Sequence, residues 1–212
     1  MEDKLNQVFN QGLRLTYKKS ETIVRAGERP DYIYHLEKGF IRQYTVSLAG
    51  DELTMNIFRP GSIFYLAWMW GIDTDDYFFE AMDKVTVVRV PMKEMEEYLK
   101  VHPELVLQIS NRLVRGMQAM LKRIEVLVFG NARQKVAATI LNFAQRFGNT
   151  QGSITTIQLP VTHRLIASVA AVARETASIE IERLYKEKII SQQGRTLAVL
   201  DLGKLKGETG EG

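Results

Sequence analysis

Arg174 and Glu175 stand side by side where the apolar-periodic stretch ARETASIEIERLYKEKII (173–190) begins. An arginine can donate a bidentate pair of hydrogen bonds to guanine, and a glutamate can accept from the cytosine amino group. On an ordinary surface helix such a pair is merely solvated, but its surroundings argue for more. Thr162 is placed to cap a short helix, Arg164–Ala170, a tight turn follows, and Ala173–Lys188 forms a second helix. Ile154–Leu159 alternates as a strand, and Leu197–Leu200 reads as a last strand after the Gln193-Gly194 turn. Two short helices across a tight turn, flanked by a β-wing, describe a winged helix-turn-helix. In that motif the first turn of the second helix reaches the base edges of the major groove. Here that turn contains Arg174, Glu175, Thr176 and Ser178.

Charge supports the same end of the chain. Residues 1–129 carry 17 Lys/Arg against 18 Asp/Glu, a net of −1, whereas residues 130–206 carry 11 against 5, a net of +6. A basic C-terminal third favours a polyanionic partner there. The chain has no cysteine, so a disulfide framework, a thiolate zinc site, an iron–sulfur cluster and a thiol nucleophile are all excluded. The charged N-terminus MEDKLNQVFN lacks a signal-peptide core, and the aromatic-rich run 60–72 is too short to span a bilayer. A cytoplasmic protein without a membrane partner is expected.

The elements that must position the basic end differ in texture. Residues 13–91 read as short strands at roughly ten-residue spacing, among them Tyr32–Leu36, Phe40–Val46, Leu53–Phe58 and Val85–Val90, which suggests a small β-barrel or sandwich. Lys93–Lys100 reads as a short helix, and His102-Pro103-Glu104 opens a long one reaching Val128. Along it Val106, Leu113, Met117, Met120, Ile124 and Leu127 fall near a heptad stripe, which fits pairing with the same helix of a second copy. Leu105, Ile109 and Gly116 form a second apolar line suited to the chain's own β-domain. After Phe129-Gly130-Asn131, an amphipathic helix runs to Gly148, with Asn149–Ser153 a polar turn.

THRLIASVAAVARETASIEIERLYKEKII resembles the helix-turn-helix of the CRP/FNR family of bacterial transcription regulators, and IVRAGERPDYIYHLEKGFIRQY, FRPGSIF and RQKVAATILNFAQRFG are similar to other parts of the same family. The resemblance implies an α+β fold in four segments. These are a double-stranded β-helix (jelly-roll) effector domain like the cyclic-nucleotide-binding domain at 1–100, a dimerisation helix at 101–129, a winged helix-turn-helix at 130–206 and a flexible tail at 207–212. It further implies a homodimer on palindromic double-stranded DNA, with RNA polymerase as a further partner and a small-molecule effector as an open possibility. Arg174 and Glu175 match the family's base-reading positions, beside Ser178 and Ile179. Thr162, His163, Arg164 and Thr176 match its phosphate-contacting positions. Ile179 stands where an arginine is common, so a guanine contact is lost there and a thymine methyl contact becomes available. Ala171 replaces a frequent turn glycine, where a left-handed backbone would carry strain.

The sensing end departs further from the resemblance. The Gly-Glu step that would hold a ribose falls on Tyr65 and Leu66, and the phosphate-pairing arginine falls near Asp75, Asp76 or Tyr77, where carboxylates repel the ligand. The adenine-facing positions fall on Met120 and Leu121. Cyclic-nucleotide binding is therefore not expected. No cofactor is expected either, because His35, His102 and His163 read as a strand residue, a helix-start residue and a DNA-side residue rather than haem ligands. With only His35 in the barrel, a metal oxygenase lacks its facial triad, and no catalytic residue is assigned. Phe64, Tyr65, Trp68, Trp70, Phe78 and Met120 remain as candidates to line an apolar effector pocket, or to fill it as core.

Overall fold

The computed structural model describes residues 2–29, 31–71 and 76–210, without the side chains at 2, 3, 6, 67 and 68. The chain divides into two compact units, Met1–Met117 and Gln118–Gly212. The boundary falls within the long helix, so the helix is shared between the units instead of forming a segment of its own.

The first unit is a β-roll. Its strands are β1 (Leu13–Tyr17), β2 (Thr22–Val24), β3 (Tyr32–Lys38), β4 (Ile41–Val46), β5 (Glu52–Phe58), β6 (Ile63–Phe64), β7 (Phe78–Ala81) and β8 (Val85–Pro91). They form two antiparallel four-stranded sheets, ordered β1-β8-β3-β6 and β2-β7-β4-β5. The expected strand over 32–36 extends to Lys38, and the turn that follows needs Gly39. With φ at +82°, its position has no room for a Cβ, which would sit 2.6 Å from both Asp83 Oδ1 and the Lys84 carbonyl. The Asp83 carboxylate accepts from the Phe40 N–H at 2.8 Å and closes this corner.

Val85, Val87, Ile33, Leu36, Ile41 and Phe79 are buried between the sheets. A short N-terminal helix, α1 (Glu2–Gln7), and a 3-10 turn (Val8–Gln11) add Leu5, Val8 and Phe9 to this core. Sequence patterning left these residues unassigned because six residues are too few to show a helical period. Phe9 packs on the His35 ring at 5.1 Å, and burial pushes the His35 pKa down. Helix α2 (Met92–Val101) follows, then α3 (Pro103–Phe129), whose Leu105 and Ile109 are buried in the β-roll core, whereas Gly116, expected on the same apolar line, is exposed.

The second unit gathers the end of α3 with α4 (Ala132–Phe147), α5 (His163–Ala170), α6 (Arg174–Lys186), α7 (Leu202–Gly207) and one sheet of β9 (Gly148–Gln151), β10 (Ile154–Ile157), β11 (Ile190–Gln193) and β12 (Thr196–Val199), ordered β11-β12-β10-β9. Helix α4 starts on a capping box, in which Asn131 and Gln134 exchange hydrogen bonds with each other's backbone N–H. It buries Val136, Ile140 and Phe143 against the helix-turn-helix.

Two expectations are corrected. Residues 149–151 do not form a polar turn but belong to β9 (Gly148–Gln151), which pairs with β10 (Ile154–Ile157); only Gly152-Ser153 turns. Every residue of β9 is exposed, so no apolar alternation marks this edge strand in the sequence. Likewise the expected flexible tail at 207–212 is structured through its described part. Glu208 accepts from Arg133, Thr209 is buried, and Gly210 lies against the Gln134 side chain. Arg133 also donates to Glu187 at 2.6 Å, so one guanidinium joins α4, the end of α6 and the C-terminus.

Candidate nucleic-acid interface

The helix-turn-helix is built from local chemistry. Thr162 caps α5 by accepting from the Leu165 N–H at 3.1 Å, which sets His163 and Arg164 in the first turn. The helix ends at Ala171, whose backbone is left-handed at φ 51° and ψ 49°, the strained conformation that its glycine-replacing position implies. Helix α6 then starts at Arg174. Its N-cap is Ala173, which has no side chain able to cap, so the first N–H groups of the helix are left for solvent or an anion.

Ala177, Glu180, Ile181 and Leu184 face the unit's interior, whereas Arg174, Glu175 and Ile179 are exposed. Arg174 and Glu175 make no side-chain hydrogen bond or ion pair among the described residues, and both are exposed to solvent. Ile179 is 54% exposed on the same outward side of the helix. Thr176 and Ser178 are half-buried beside them. The Ser178 hydroxyl is engaged, lying 2.9 Å from His163 Nδ1 across the helix pair. Nothing in the local spacing of either helix signals that bond, because the two residues are 15 apart and meet only when α5 packs on α6.

Glu180 is the buried acid of α6. Its residue is 94% buried, one oxygen accepts from Arg183 at 2.7 Å, and the other, Oε2, is buried without a hydrogen-bond partner. Its position three residues after Ala177 and four before Leu184 carries the signal for burial.

On α3, Leu113, Met117, Met120 and Ile124 are each 45–59% exposed, and Leu127 is half-buried. Val106 differs from the rest of the stripe: it is half-buried against the β-roll core of its own chain. Among the described residues no helix is long and apolar enough to cross a membrane, and no three His, Asp or Glu side chains cluster as a metal site requires.

The candidate effector-pocket residues separate. Phe64 and Tyr65 are buried and belong to one ring stack with Tyr34, Phe58 and Phe79, at centroid distances of 4.7–6.1 Å. Tyr65 holds φ at +71° within that stack, a conformation a bulky residue rarely adopts. Phe78 points to the other face of β7 from Phe79 and stacks on Tyr44 instead. There Arg42 lies 4.0 Å over the Tyr44 ring and donates to Glu52 at 2.6 Å and Glu80 at 3.1 Å. Burial opposes the Arg42 charge, but the two carboxylates outweigh it and push its pKa up. Trp70 is 45% exposed and Met120 lies in the second unit, also exposed. The Trp68 side chain lies outside the described residues, as does Asp75, one of the positions expected where a phosphate-pairing arginine would stand. Of the five candidates whose side chains are described, the structure therefore brings together two.

Comparison with known proteins covers both units. Residues 14–102 match the family model of the cyclic nucleotide-binding domain, and residues 134–208 match that of the Crp-like helix-turn-helix domain. The chain is 24% identical over 204 residues to the transcriptional activator protein FnrA of Stutzerimonas stutzeri, covering 94% of this chain and 80% of that one. It is 22% identical over 184 residues to the cAMP-activated global transcriptional regulator CRP of Pasteurella multocida, covering 86% and 88%. Among solved structures, a CRP/FNR-family transcriptional regulator from Thermus thermophilus superposes with a TM-score of 0.74 at 25% identity, covering 93% of this chain and 98% of that one.

Proposed function

The chain belongs to the CRP/FNR family of transcription regulators and is a sequence-specific DNA-binding protein of that type, and from this premise we propose that it acts as a homodimer on a palindromic site. It does so by binding alone, without catalysis, in the cytoplasm and with RNA polymerase as a downstream partner. The observation that carries this reading is the first turn of α6. Its N-terminus lacks a side-chain cap, and Arg174 and Glu175 stand exposed beside it without protein partners among the described residues.

In this reading Arg174 donates to guanine, Glu175 accepts from cytosine, and Ser178 and Ile179 meet the neighbouring base edges. Thr162, His163, Arg164 and Thr176 hold phosphates, which supply affinity and its salt dependence. The stripe Leu113, Met117, Met120, Ile124 and Leu127 meets its copy in the partner, where burial would remove exposed aliphatic and thioether surface from water.

DNA binding does not depend on a cyclic nucleotide in this proposal. Tyr65 occupies the ribose-holding position and is buried in a ring stack, and Phe64 lies with it. A filled roll supports a dimer competent without effector. Selection of bound DNA from a random pool, with and without cell extract, tests the whole reading. A palindrome with half-sites one helical turn apart and no extract requirement is expected; a pool without enrichment would refute it. Calorimetry with cyclic AMP and cyclic GMP should show no saturable heat.

A further inference from the structure

The 2.9 Å contact between His163 Nδ1 and Ser178 Oγ joins a residue placed at the phosphates to one placed at the bases. All interactions of these two side chains are accounted for by this one bond among the described residues. The geometry is fixed from both sides. Thr162 caps α5 one residue earlier, and Ala177, beside Ser178, is buried in the packing of α6. Both partners are half-exposed, so neither side chain is sealed from solvent.

We propose that His163 is a positioning residue for base reading, whose bond to Ser178 makes that serine a pure hydrogen-bond acceptor toward DNA. The inference rests on the DNA-contacting roles given above. A phosphate oxygen accepts, and in this proposal the ring nitrogen that donates to it is Nε2, in the tautomer that carries its proton there. Nδ1 is then an acceptor, and the Ser178 O–H must donate to it. The serine is left with lone pairs alone on its outward side. Adenine and cytosine present an amino donor in the major groove, whereas guanine and thymine present carbonyl acceptors at the corresponding positions. Ser178 thereby selects an adenine or cytosine at the base it meets, although a free serine hydroxyl would accept either class. Ile179, with no polar atom, does not compensate at the neighbouring position.

Two variants separate the two ring nitrogens. The His163→Gln amide reaches about as far as Nε2 and leaves Ser178 unbound, whereas the His163→Asn amide sits near Nδ1 and gives up the outward reach. Selection from a random pool, followed by titration on the best site and its single-base variants, reads both. For His163→Gln the preference for amino-bearing bases at one symmetric base pair should fall about fivefold, the worth of one hydrogen bond, with affinity for random DNA retained. For His163→Asn the preference should persist while affinity falls on all sequences alike. Ser178→Ala should abolish the preference and make His163→Gln without further effect on it. An unchanged preference in His163→Gln, with circular dichroism showing the fold intact, would overturn the inference. So would a His163→Asn variant that loses the preference while folded. Arg174→Ala serves as the control: if it leaves specific binding intact, the base-reading assignment itself fails, whereas its loss alongside an unaltered His163→Gln sinks only the present inference.

Discussion

The outward face of α6 and the ring stack of the β-roll were both marked by residue type, yet they came through folding differently. Arg174, Glu175 and Ile179 emerge on one exposed helix face, as their spacing requires. Of the aromatic residues proposed to share a pocket, Phe64 and Tyr65 share a buried stack, while Phe78 lies on the opposite face of its strand and Trp70 stands exposed. A helix face is set by residues within one or two turns. A cavity is set by which strands pair and which rings stack, and those contacts come from distant parts of the chain.

The contrast breaks most easily at the stack. Phe64→Ala should destabilise the first unit by about 3–5 kcal/mol if the rings are core. Both tryptophans of the chain, Trp68 and Trp70, lie in that unit, so urea unfolding followed by their fluorescence reports on it. A loss below about 1 kcal/mol would mean that the rings line a loosely filled site. Next in size, Arg174→Ala should weaken specific DNA binding by about 1–3 kcal/mol per half-site and leave random-sequence binding almost unchanged. Equal losses on both would demote Arg174 to a phosphate contact.

The inner face of α6 offers a sharper contrast with its outer face. Glu180→Leu removes a buried carboxylate oxygen without a partner and should stabilise the second unit by about 1 kcal/mol, with DNA preference intact. A destabilised variant would show that the Arg183 bond outweighs that burial. Ala171→Gly should add about 0.5–1 kcal/mol by relieving the left-handed alanine, read as a raised Tm. The smallest effect expected is one of pH. Hydrogen bonding to Arg133 holds the Glu208 carboxyl below the usual carboxylate range. Its contribution is present above that range and lost as pH falls through the lowered folded value, so the Tm of the second unit should drop on acidification. Arg133→Gln should flatten that drop.

Several features were legible in advance because they depend on neighbours in sequence. Thr162 as a helix cap and the break at Gly130 are of this kind. So is the division of α3 into a buried line of Leu105 and Ile109 and an exposed line from Leu113 onward. Others had a signal that residue chemistry overrode: Glu180 lies at a buried helical position but reads as a surface residue by its charge. Strand β9 had no signal, since an edge strand exposed along its whole length leaves no alternation to detect.

By itself, then, the sequence determined the principal helices of the C-terminal unit, its basic charge and the helix turn that presents Arg174 and Glu175, since each follows from short-range periodicity, capping and charge. The tertiary structure alone decided that Ser178 is held by His163, that Arg133 ties the C-terminus to α4, and that Phe64 and Phe78 go separate ways. Each of these joins residues that only the packing of one element on another brings within a few ångströms.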